Sequence, residues 1–185
     1  MIFYHGSPIG GLTELTPFLS EHDNPYVYFA TNPIVALLYA AKPVPKPFSF
    51  YPFGFDTNGN VIYSEYFENA FYHLYKGKTG YLYECFDVKD LTQPTHINCA
   101  YTCANAVTVD SVTKIPDLYL YYKQQEAKGL FRVKPIKEIS SQELHLAYAA
   151  LSEYIKKYRL KSTPQHPMSV FIKTHFPNVW QQEES

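Results

Sequence analysis

Short apolar runs separated by turn-forming residues set the pattern of the first two thirds of the chain. Met1 to Tyr4 reads as a short first strand, and Ser7 to Pro17, with Gly10, Gly11 and two prolines, as a loop. Asn24-Pro25 marks a turn ahead of Tyr26–Ala30, an aromatic and β-branched run that predicts a strand. Thr31-Asn32-Pro33 then supplies a capping side chain and a proline for the first helical position, and "IVALLYAA" carries the predicted helix to about Lys42.

Prolines at 43, 45, 47 and 52 predict an irregular segment over Pro43–Phe55, read as a lid or as a flap over a sheet edge. Val61–Tyr66 follows as a strand or the lead into a short helix near 66–75. Tyr81–Val88 is predicted as a strand with Leu82, Glu84, Phe86 and Val88 on one face. A carboxylate in such an apolar row must find a partner or shift its pKa, which makes Glu84 a site candidate. Val107–Val112 is a further strand, and Ile115–Lys128 ends "EAKG", a helix tail followed by a C′ glycine. "LFRV" at 130–133 is a short returning strand. Ser140–Arg159 is the longest helix, capped by Ser140 with Glu143 three residues on, its stripe formed by Leu144, Ala147, Leu151 and Ile155. Thr163–Pro167 breaks it before a short helix at 168–176. Interspersed strands and helices make the fold α+β.

At 185 residues the chain fits one domain, divided as a main part over 1–139 and a helical segment over 140–185 packed on it. A net charge of −1 with 18% charged residues gives no global attraction to nucleic acid or anionic membrane. No apolar run has the length of a membrane span and the first residues lack a signal-peptide pattern, so the expected location is cytoplasmic. Cys85, Cys99 and Cys103 lack paired spacing; with His96 they fall short of a zinc set, and reduced, partly buried thiols are expected with no metal. The basic run "YIKKYRLK" (154–161) reads as the polar face and C-terminal end of a helix. Eighteen tyrosines among 17% aromatic residues suit stacking on planar ligands and a β-rich core equally.

Two segments carry more specific information: "YHGS" (4–7) after the first apolar run, and "VYFATNPIVALLYA" (27–40) across a strand into a helix. Together they resemble the ADP-ribosyltransferase superfamily, in its His-Tyr-Glu branch with the poly(ADP-ribose) polymerases and rifampin ADP-ribosyltransferases. The family pairs a His-Gly-Ser or His-Gly-Thr strand with a Tyr-Phe-Ala strand and a second tyrosine eleven residues on; here those tyrosines are Tyr28 and Tyr39. The resemblance covers about the first forty residues. It implies a split, strongly bent sheet, and NAD as substrate, cleaved at the nicotinamide–ribose bond through an oxocarbenium-like transition state. His5 would then bond a ribose hydroxyl, backbone groups of Gly6 would hold the carboxamide with Ser7 beside it, and Tyr28 and Tyr39 would frame the nicotinamide.

The resemblance is incomplete at two places. Ala36 stands where the family often has a serine, and the residues before "VTVDSV" are Cys103, Ala104, Asn105 and Ala106, with no glutamate. Asn105 can bond a hydroxyl but carries no charge to stabilise an oxocarbenium ion. Glu84, Asp110 and Glu126 are the possible substitutes. The expectation is an NAD-dependent mono-ADP-ribosyltransferase-like protein with a protein, nucleic acid or small molecule as acceptor. The alternative is a catalytically inactive module of the same fold that binds NAD, ADP-ribose or a protein. An RNA 2′-phosphotransferase relationship would need a basic phosphate-gripping surface, against which the near-neutral charge argues.

Overall fold

The computed structural model describes residues 1–19, 24–41, 52–93 and 98–182. In chain order its elements are β1 (Ile2–Ser7), β2 (Glu14–Leu15), β3 (Val27–Ala30), α1 (Pro33–Leu38), β4 (Phe53–Phe55), β5 (Val61–Ser64), α2 (Ala70–Tyr75) and β6 (Gly80–Phe86). There follow β7 (Leu91–Thr92), β8 (Ala100–Cys103), β9 (Val107–Thr108), β10 (Ser111–Ile115), α3 (Leu118–Ala127), β11 (Phe131–Lys134), α4 (Ser141–Lys157), α5 (Pro167–His175) and α6 (Pro177–Gln182). The architecture is α+β, as expected. The residues cluster into two compact units, 1–42 with 75–125 and 43–74 with 126–185. The helical segment from 140 onward thus shares its unit with 43–74 and 126–139. Among the described residues no helix is long and apolar enough to cross a membrane.

The first unit is built on a six-stranded sheet in the order β10-β6-β1-β3-β8-β7, with every pairing antiparallel. Strand alternation sends Phe3 from β1, Val27 and Phe29 from β3, and Tyr83 and Cys85 from β6 into one core, closed by Leu15 and Val107 of the small β2–β9 pair. The opposite face carries α1. This helix has only six residues, too few to persist alone, so tertiary contacts must hold it. Asn32 caps its start, Oδ1 accepting from the Ile34 and Val35 amides at 2.9 and 3.4 Å, with Pro33 at the first helical position. Two fully buried tyrosines serve its carbonyls: Tyr122 donates to Ile34 O at 2.8 Å and Tyr75 to Leu38 O at 2.9 Å. Gly6 makes the closest approach, since a Cβ there would lie 2.0 Å from the Ala36 carbonyl oxygen. A helix backbone resting on a strand backbone leaves no room for any side chain.

The second unit combines the three-stranded sheet β11-β5-β4 with the C-terminal helices. β11 runs parallel to β5, and β4 antiparallel to it. α4 begins with the complete capping box: Ser140 Oγ accepts from the Glu143 amide and Glu143 accepts from the Ser140 amide. Its stripe of Ala147, Leu151 and Ile155 is buried against Ile172, Phe176 and Trp180. Ser169, wholly buried, donates to Leu160 O and Thr163 O and so ties the entry of α5 to the turn before it. His166 caps α5 through an Nδ1 that accepts from the Met168 amide.

Several expected boundaries move. The first strand does not stop at Tyr4 but runs through His5, Gly6 and Ser7, because β6 pairs with all six of its residues. The helix after Asn32 ends at Leu38, with Tyr39 as its C-cap, rather than near Lys42. Most of the proline-rich segment lies outside the described residues, but Phe53–Phe55 forms β4; Pro52, just before it, needs no ladder donor. The strand at 81–88 ends at Phe86, and Val88 packs into the core on the face opposite to Leu82 and Glu84. Val107–Val112 is two strands: 107–108 pairs with β2 and 111–115 with β6. A helix at 177–182 follows the one expected last.

Two measurements test this account. Gly6→Ala is expected to destabilise the protein by about 3 kcal/mol or more, because the obstacle is backbone rather than a side chain that can turn aside. Gly54→Ala, whose Cβ would meet nothing within 4 Å, serves as the control and should change the urea midpoint little. In the second unit, burial and then His73 hold His175 below its ordinary pKa of 6.5, with its ring stacked 4.1 Å from Phe67. The folded state therefore disfavours the protonated ring, so this stabilisation is complete above pH 6.5 and is lost as pH falls through the lower folded value. Between slightly alkaline and slightly acidic pH the urea midpoint should fall more in the wild type than in His175→Phe.

Candidate functional site

β1 pairs with β6 at six positions but with β3 at one, Tyr4 opposite Ala30. Beyond that pair the β1–β3 ladder stops, and the side chain of His5 takes over: Nδ1–H donates to the Tyr28 carbonyl oxygen at 2.8 Å. This bond fixes the neutral ring in the Nδ1–H form, which makes Nε2 its acceptor nitrogen. Phe29 and Tyr83 flank the ring, with centroids 6.3 and 6.4 Å away. The ladder thus stops where the His-Gly-Ser residues run, and the imidazole bridges the two strands there.

Other contacts set the surroundings of this bridge. Ser7 is buried and its Oγ accepts from the Ile9 amide, starting the following loop in a tight turn. Tyr83 secures that loop from below: its hydroxyl donates to Ile9 O at 2.7 Å and accepts from the Leu12 amide at 3.2 Å. Tyr28 packs beside Phe18 and Tyr26. Tyr39 sits at the end of α1 near Cys99; burial, with Cys99 adding to it, pushes its hydroxyl up to about 12, so the phenol stays neutral over the working range.

The register separates the expected site residues by face. His5 lies opposite Tyr83 and shares the Phe3 face of the sheet, whereas Glu84 lies opposite Tyr4 on the other face. Tyr4 is also opposite Ala30, so alternation along β3 gives Tyr28 the Glu84 side. Glu84 is half-buried, and Ser111, its neighbour on β10, donates Oγ to its Oε2 at 2.8 Å. Asn105 stands elsewhere. It is exposed in the segment joining β8 to β9, and its Nδ2 donates to Asp90 at 3.3 Å. It lines an open depression of about 340 Å³ together with Asp87, Lys89, Asp90 and Asp110, and none of His5, Gly6, Ser7, Tyr28 or Tyr39 does. Asp110 is engaged by the Phe86 amide at 2.7 Å.

The structure therefore joins His5 to Tyr28 directly and leaves Asn105 in a different place. Gly6 is required by α1, a reason the motif alone did not reveal. Tyr83, Tyr75 and Tyr122 were not singled out in the sequence, since nothing local marks which tyrosine hydroxyl will meet a distant carbonyl. The three cysteines are free; burial, with Asp110 beside it, pushes the Cys85 thiol up to about 11 and leaves it unreactive. Among the described residues no group of three or more His, Cys, Asp or Glu side chains is placed to hold a metal, and His96 lies outside them.

Comparison with known proteins finds no match to a family model, to a curated protein or to a solved structure.

The His5–Tyr28 bond has a stability signature. His5→Ala removes a donor to the Tyr28 carbonyl and should cost about 1 kcal/mol. His5→Asn, whose amide nitrogen can stand near the position of Nδ1, should recover most of that loss in urea denaturation.

Proposed function

We propose that the chain is an NAD-binding, mono-ADP-ribosyltransferase-like protein whose nicotinamide site lies where the β1–β3 ladder stops. The observation that carries this reading is the arrest of that ladder after Tyr4–Ala30, with His5 bridging to Tyr28. Strand peptides outside a ladder offer amide and carbonyl groups to a ligand, and a carboxamide needs one of each. The residues there, His5, Gly6 and Ser7, are those to which the resemblance assigns NAD. A split, bent sheet of the ADP-ribosyltransferase type belongs to the same proposal. Tyr39, kept neutral by burial, supplies an uncharged aromatic face with a hydroxyl donor.

In this reading the bond from ribose to nicotinamide breaks, nicotinamide leaves, and an acceptor nucleophile bonds the sugar carbon. The acceptor is a protein, nucleic acid or small molecule. Glu84 is the better candidate for the charge-stabilising side: it is a carboxylate, Ser111 holds it in place, and it shares the Tyr28 face. Asn105 lacks charge and is engaged by Asp90. That same position of Asn105 favours a second reading, in which the protein binds NAD or ADP-ribose without turnover.

Calorimetry with NAD and an assay of nicotinamide release separate the two. Release that disappears in His5→Ala and falls about a hundredfold or more in Glu84→Gln supports the enzyme. Binding without release selects the module. Neither binding nor release at millimolar NAD overturns both.

A further inference from the structure

The six-stranded sheet ends in two different ways. On one side the last strand is β7, with only two residues to offer. On the other it is β10, five residues long and paired along its inner side with β6, from Ser111 opposite Glu84 to Ile115 opposite Gly80. Among the described residues no strand pairs with its outer side. Ser111, Val112, Thr113 and Lys114 are all exposed, so that side faces solvent. An open strand edge carries a row of peptide donors and acceptors and is a template for one more strand.

The side chains of β10 narrow down which strand that is. Val112 lies opposite Tyr83, on the face that carries His5 and Phe3, yet it is 47% exposed. Lys114 is exposed and makes no ion pair or hydrogen bond among the described residues. A lysine on an edge strand ordinarily blocks indiscriminate pairing. Asp110, just before the strand, carries the opposite charge. Its Oδ2 accepts from the Phe86 amide at 2.7 Å, a neutral donor that anchors the carboxylate without cancelling its charge.

A second copy laid antiparallel beside β10 sets residues of like orientation opposite one another, so the two-fold axis passes through a residue. Centred on Lys114 it opposes two lysines, and centred on Thr113 it sets Lys114 against Val112. Of the centres within the strand, only Val112 opposes unlike charges. There Lys114 meets Asp110 of the partner subunit at both ends, Val112 meets its own counterpart, and Ser111 meets Thr113.

We propose that the chain forms a two-fold dimer through β10, the strands pairing antiparallel about Val112 and joining the two six-stranded sheets into one. The charges select a second copy over a foreign strand, because each copy supplies both of them at matching positions. The proposal rests on no part of the NAD reading.

Sedimentation velocity of the full chain over rising concentration tests it. The wild type should pass from monomer to dimer, and hydrogen exchange in 111–115 should slow as it does. Lys114→Glu opposes two acids at each end and should weaken association at least about tenfold; Asp110→Lys opposes lysines and should do the same. Mixed in equal amounts, each of these variants supplies the charge that the other needs, and a heterodimer should form as tightly as the wild-type dimer. Asp110→Asn keeps an acceptor for the Phe86 amide but removes the charge, and should weaken association about threefold or more. A wild type that stays monomeric leaves this edge to a different strand and overturns the proposal. So does association unchanged by Lys114→Glu or Asp110→Asn, or a mixture that fails to associate although both variants melt like the wild type.

Discussion

The contact between Gly6 and the Ala36 carbonyl is the tightest constraint in the first unit. A helix of six residues cannot hold its own backbone bonds, so α1 exists only as far as its neighbours complete it. Asn32 completes its start, and Tyr122 and Tyr75 take two of its carbonyls. The two tyrosine contacts also need the helix docked on the sheet, which brings it to backbone distance from β1. A glycine at position 6 is what permits that distance. Tyr39, at the end of the helix, and Tyr28, on the strand before it, are then set by the same docking. The motif residue with the least chemistry of its own thus governs where the others stand.

The tyrosine content has a physical answer in this arrangement. Tyr63, Tyr75, Tyr83 and Tyr122 are among the largest fully buried side chains, and three of them place their hydroxyls on backbone carbonyls. Phenylalanine would fill the same volume but leave Leu38 O, Ile9 O and Ile34 O without these donors, and an unserved buried carbonyl costs about 1–3 kcal/mol. Short helices and irregular loops expose many such carbonyls. A chain built from them needs apolar residues with a polar tip, and tyrosine is the one that carries its donor furthest from the backbone.

Local signals were legible, and distant ones were not. Asn32-Pro33, the Ser140–Glu143 box and the glycine at 129, which takes φ +73°, each act within a few residues, so their structures could be read directly. The extent of β1 could not, because it is set by pairing with β6 about eighty residues away. The division of 107–115 into two strands has the same origin: its halves answer to β2 and to β6. Glu84 could be flagged as a carboxylate in an apolar row, but its partner Ser111 lies on another strand. His5 and Tyr28 could be paired only through a resemblance, and the bond between them uses a backbone carbonyl that no side-chain pattern records.

That bond bears on what the histidine is for. An antiparallel ladder left open on one side ordinarily closes, since unserved peptide groups favour pairing. Here the imidazole donates to the Tyr28 carbonyl at the place where the β1–β3 ladder stops. Phe29 and Tyr83 beside the ring limit where it can turn. A donor of this shape bridges the strands and fixes its own tautomer in the same act, with Nε2 as the acceptor. An asparagine could do the first and an alanine neither. The identity of residue 5 therefore matters twice, once for the bridge to β3 and once for the nitrogen it presents.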